Sequence, residues 1–119
     1  MQKKEQKKTE TEEKEIRNRA YEIVGEALVS ISNSTRADIA KYIKKHKKAT
    51  FEDLRKEFNL NNNTLSFHLK KLQESYIISQ SDKRGHYILG ELGKLMLCTL
   101  DELEDKAPPI LARITTSKL

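Results

Sequence analysis

A chain of 119 residues with 36% hydrophobic, 34% charged and 6% aromatic residues is enough for one small core and too little for two. Its single cysteine excludes an internal disulfide and a cysteine-rich zinc cluster, and with no run of about eighteen apolar residues and no apolar signal stretch at the start, the expected compartment is the cytoplasm. The net charge of +5 is concentrated in the middle, where residues 36–71 hold ten Lys and Arg against four Asp and Glu, whereas residues 91–105 hold five acids against Lys94 alone. That asymmetry points to a polyanion on one side of the molecule.

Residues 1–15, "MQKKEQKKTETEEKE", carry five lysines and five glutamates and read as a charged, frayed tail. From Ile16 the apolar positions 16, 20, 23, 24, 27, 28 and 31 repeat with a helical period, so a long amphipathic helix is expected up to the polar "SNS" at 32–34. Gly25 on its edge would let another helix come close. "TRAD" at 35–38 has the form of a Thr cap with an acid three residues on, opening a second helix on Ile39, Ala40, Tyr42 and Ile43 that ends in "KKHKK". "TFED" at 50–53 repeats the cap and starts a short helix with Phe51, Leu54 and Phe58 inward.

In "FNLNNN" Asn59 can take left-handed geometry, Leu60 can anchor a turn and Asn61 can cap a new helix. That helix buries Leu65, Leu69 and Leu72 and turns Asn63, Ser66, Phe67, Lys70 and Glu74 the other way. "YIISQ" and "HYILG", joined by "SDKRG" with Gly85, read as a hairpin with Lys83 and Arg84 at its tip. A last amphipathic helix begins at Glu91 and is expected to stop at Pro108 and Pro109, leaving 107–119 as a tail of unassigned packing.

Helix, helix, turn, helix and basic hairpin make a mainly α fold with a small β wing, a winged helix-turn-helix over residues 16–106 with long N- and C-terminal dimerisation helices. Double-stranded DNA is the expected partner. Lys44, Lys45, Lys47, Lys48, Lys70 and Lys71 would meet phosphates, while Asn62, Asn63, Thr64 and Ser66 reach base edges in the major groove. Phe67, outside the core by helical spacing, would pack on a thymine methyl, and Lys83 and Arg84 of the wing at 81–86 would follow the minor groove or its backbone.

Residues 35–97 resemble the ArsR-type winged-helix repressors and related archaeal regulators, through "TRADIAKYI", "FEDLRKEFNLNNNTLSFHLKKLQESYII" and the wing "DKRGHYIL". The resemblance implies a homodimer joined by its first and last helices on a short inverted repeat. The corresponding faces carry Ile16, Ala20, Ile23, Ala27, Leu92, Met96 and Leu103. Metal-sensing members carry a short cysteine motif where this chain has "FEDLRKEF", so metal sensing there is not expected.

His68, flanking the leucine stripe, is expected to be a packed, hydrogen-bonded histidine, and His46 and His86 have no ligand spacing. Cys98 is expected to be buried at a helix interface. No cofactor is expected, the sequence does not reveal whether there is a small-molecule effector, and no phosphate loop or catalytic signature suggests an enzyme. The alternative is a winged-helix module for protein or RNA. Against it stands the basic excess, which coincides with the recognition helix, the preceding helix end and the wing tip.

Overall fold

Thr9 opens helix α1 (Glu10–Ile31) in the computed structural model, which describes residues 9–81 and 85–117. Its hydroxyl accepts from the Glu12 amide at 3.3 Å, and Glu10, Glu12 and Glu13 face the positive pole of the helix. The helix therefore starts ahead of Ile16. Only its last two turns reach the core, through Ala27, Ser30 and Ile31, so Ile16, Tyr21, Leu28 and Val29 stay exposed. A Cβ at Gly25 would meet nothing within 4 Å, so no helix of this chain uses that gap.

Helix α2 (Ser34–His46) is capped by Asn33, whose side chain accepts from the Arg36 amide at 3.0 Å, and not by Thr35. Asparagine caps better than threonine, and the helix starts two residues earlier than a Thr35 cap would set it, with Thr35 inside it. Ala37, Ile39, Ala40 and Ile43 are buried, and the helix ends at Lys47 with φ 71°. Helix α3 (Phe51–Phe58) has the reciprocal cap expected of "TFED": the Asp53 amide donates to Thr50 Oγ1 and the Thr50 amide to Asp53 Oδ2, both at 3.0 Å. The backbone bond from Thr50 and then the hydroxyl hold the Asp53 carboxyl below its usual range.

Asn59, left-handed at φ 49° and ψ 47°, ends α3, and Asn61 caps α4 (Asn62–Glu74) by accepting from the Thr64 amide at 2.8 Å. Leu65, Leu69 and Leu72 close the core with Ile39, Ile43, Leu54, Ile77 and Leu97. The strands β1 (Ile78–Gln80) and β2 (Tyr87–Leu89) are antiparallel, with Ile78 opposite Leu89 and Gln80 opposite Tyr87. They are shorter than expected because Tyr76, at φ 63°, is still in the turn leaving α4. Ala49 extends the sheet by one bridge, its amide donating to the Tyr87 carbonyl at 3.0 Å and its carbonyl accepting at 2.7 Å. Gly85 supplies φ 74° on the return arm, as the turn requires.

Helix α5 (Glu91–Ser117) runs through Pro108 and Pro109, where a stop was expected. Proline's fixed φ is itself helical; what is lost is two amide donors, and the carbonyls they would have served belong to the exposed Glu104 and Asp105, within reach of water. Near its start the helix lies so close to the sheet that a Cβ at Gly93 would run into the Ile77 carbonyl. The core side of α5 is Gly93, Met96 and Leu97, with Leu92 and Leu100 partly buried. Cys98 is consequently exposed in the single chain, where burial was expected, because it and Leu95 lie on the outer side of the same turn. Lys41 Nζ meets Glu104 Oε1 at 2.9 Å and Lys44 Nζ meets Asp101 Oδ2 at 4.0 Å, tying α5 back to α2. Five helices and a two-stranded hairpin among the described residues form a winged helix.

Two residues expected on a dimer face do not lie on one in this chain. Ala27, fully buried, and Met96, at 6% exposure, belong to the chain's own core.

Candidate nucleic-acid interface

The turn Asn59–Leu60–Asn61 sets the orientation of α4. Leu60 is partly buried against the core, and its amide donates to the Arg55 carbonyl at 3.2 Å, so the three residues are held from both ends. With one face of α4 fixed by leucines, Asn62, Asn63, Ser66, Phe67, Lys70 and Lys71 are exposed together. Thr64 is half-buried at the first turn, its amide satisfied by the cap. The helix thus presents amide and hydroxyl groups at its amino end and paired lysines two turns on.

Phe67 is 52% exposed and stands outside the core. Its ring is edge-on to His68 at 5.8 Å between centroids, and Lys71 Nζ lies 5.6 Å from its centroid. The other flank of the ring lines a groove against α1, where Val29 and Ser30 lie opposite it. It is therefore half platform and half groove wall, and spacing on α4 alone had shown only the first role.

His68 is half-buried, with Nδ1 3.4 Å from Arg36 Nη1. Arginine can only donate, so this nitrogen accepts and the ring is neutral. Burial first, and the Arg36 charge second, push its pKa down. Arg36 also donates from Nε to the Ser30 carbonyl at 2.7 Å. One guanidinium therefore joins the end of α1, the start of α2 and the middle of α4. Sequence reasoning had seen Arg36 only as part of a cap; the available sign was a long cationic side chain beside a capping asparagine.

The lysines at the end of α2, Lys44, Lys45, Lys47 and Lys48, are exposed. His46 among them stacks on Tyr42 at 4.1 Å. The wing tip residues Lys83 and Arg84 lie outside the described residues. Among the described residues no group of three or more His, Cys, Asp or Glu side chains is placed to hold a metal ion, and no helix is long and apolar enough to cross a membrane.

No curated protein matches the chain. Residues 31–80 match the family model of the helix-turn-helix domain, from the last turn of α1 to the end of β1. The polar face of α4 thus lies within the stretch that is similar to a helix-turn-helix domain.

Proposed function

We propose that the protein is a sequence-specific regulator of transcription that binds double-stranded DNA as a homodimer, related to the ArsR-type repressors. The observation carrying this reading is that α4, capped and fixed by its leucines within a matched helix-turn-helix domain, exposes Asn62, Asn63, Ser66, Phe67, Lys70 and Lys71 on one face. In the major groove Asn63 and Asn62 would offer paired hydrogen bonds to adenine, and Phe67 an apolar contact to a thymine methyl. Thr64 would assist from the helix start. Lys70, Lys71 and the lysines ending α2 would neutralise phosphates, and Lys83 and Arg84 on the wing would take the neighbouring groove.

A dimer is supported by the shape of the chain. Its Cα radius of gyration is 18.6 Å, whereas a compact domain of this length would have about 13 to 14 Å. The excess comes from α1 and α5, which leave Ile16, Tyr21, Leu95, Leu103 and Leu111 exposed at 45% or more. A second copy would cover them, with Ala20, Ile23 and Leu92 at the edges.

A mobility-shift titration tests the reading. Binding to a cognate duplex should exceed binding to random duplex, and should fall by orders of magnitude between about 50 and 200 mM salt as counterions are released. Equal affinity for every duplex, or tighter binding to RNA than to DNA, would remove the regulator reading.

A further inference from the structure

A groove of about 460 Å³ lies between α1 and α4, beside the face assigned to DNA. Its volume falls within the range of small-molecule sites. Three features of its lining offer groups to a ligand. Ser30 is 5% exposed, and its hydroxyl has no hydrogen-bond partner. Buried hydroxyls are nearly always paired, because an unmet one costs stability. Arg36 is half-buried, bonded to a carbonyl and to His68, and in no ion pair among the described residues. Val29, 69% exposed, and Phe67 are apolar surfaces left open to water.

Arg36 ties Ser30 of α1 to His68 of α4. Glu26, about one helical turn before Ser30, and Lys71 and Glu74, beyond His68 on α4, also line the groove. None of Glu26, Lys71 and Glu74 is in an ion pair among the described residues. Cationic groups, acidic groups and an apolar wall in one groove match a ligand with a carboxylate, an ammonium and an apolar body.

We infer that this groove is a binding site for a small zwitterion, an amino acid with an apolar side chain. Arg36 and Lys71 take its carboxylate, Glu26 and Glu74 its ammonium, Val29 and Phe67 its side chain, and the Ser30 hydroxyl gains the partner it lacks. The ligand covers Phe67 and Lys71, so its presence and duplex binding exclude each other; this consequence rests on the DNA reading above, whereas the site itself does not.

The test uses the full chain with L-phenylalanine and L-leucine as probes, followed by amide chemical shifts without DNA. The expected result is saturable shifts at residues 29, 30, 67 and 71, weakened about tenfold in Ser30→Ala, which loses one hydrogen bond. L-phenylalaninamide and 3-phenylpropionate, each lacking one charge, should bind more weakly than L-phenylalanine. Absence of shifts at millimolar probe, shifts elsewhere, or equal binding by Ser30→Ala overturns the site, and equal affinity for 3-phenylpropionate overturns the zwitterion assignment. A second arm adds a cognate duplex: loss of its binding on adding L-phenylalanine supports the competition, and unchanged binding overturns it. Saturable shifts in a protein that binds no duplex support the site while removing the DNA reading.

Discussion

Asn63 and Lys70 lie on the same exposed face of α4, yet their chemistry predicts different consequences. Lys70→Ala should weaken binding to all duplexes and lower the slope of log affinity against log salt by about 1, since one phosphate contact is lost. Asn63→Ala should relax preference at one base pair, by about 1 to 3 kcal/mol. Titrating both variants against a cognate duplex and its single-base substitutions separates the two; a uniform loss in Asn63→Ala would contradict base reading. His68 gives a pH prediction. Its folded pKa lies below the unfolded value of 6.5, so its contribution is fully present above pH 6.5 and is lost as pH falls from there through the folded pKa. His68→Gln should flatten that part of a stability-versus-pH curve measured by denaturant unfolding, and an unchanged slope would contradict the burial argument. At this scale the sequence showed which residues of α4 are exposed, because the leucine spacing determines its face. It did not show Arg36 bridging three helices, since the residues it joins are 6 and 32 positions away.

Elements were legible where a local signal acts alone. The capping box of α3, the left-handed Asn59 and the Asn61 cap all depend on residues within a few positions of one another, and all three formed as expected. Misreadings arose where two signals compete. Asn33 displaced Thr35 as the cap of α2, and α5 continued past two prolines whose lost donors leave only exposed carbonyls unmet. The phase of α5 was read one position off on its outer side, which is why Cys98 is exposed although burial was expected. Gly93 was not singled out, because its role depends on the Ile77 carbonyl, sixteen residues earlier in the chain. Gly93→Ala should destabilise the fold by about 1 to 3 kcal/mol, as overpacking does even where helix propensity improves. A melting temperature equal to the parent's would show that α5 can move off the sheet at little cost.

For the whole molecule, the proposed DNA-bound dimer rests on how charge and apolar surface are distributed. Basic residues 36–71 include α4 and the end of α2, while acids gather on α5. Part of that acidic charge is used internally: the hydrogen bond from Lys41 to Glu104 raises the lysine's pKa and helps hold α5 against α2. The composition had already implied one small core and no second. What it did not reveal is that Ala27 and Met96 are used inside that core, while apolar residues on the outer turns of α1 and α5 stay exposed. The most direct test is selection of bound duplexes from a random pool by the full-length protein. The account predicts enrichment of one short inverted repeat, whose two halves each meet one copy of α4 about one helical turn of DNA apart. A pool that stays random after repeated selection, or a single site without two-fold symmetry, would contradict it.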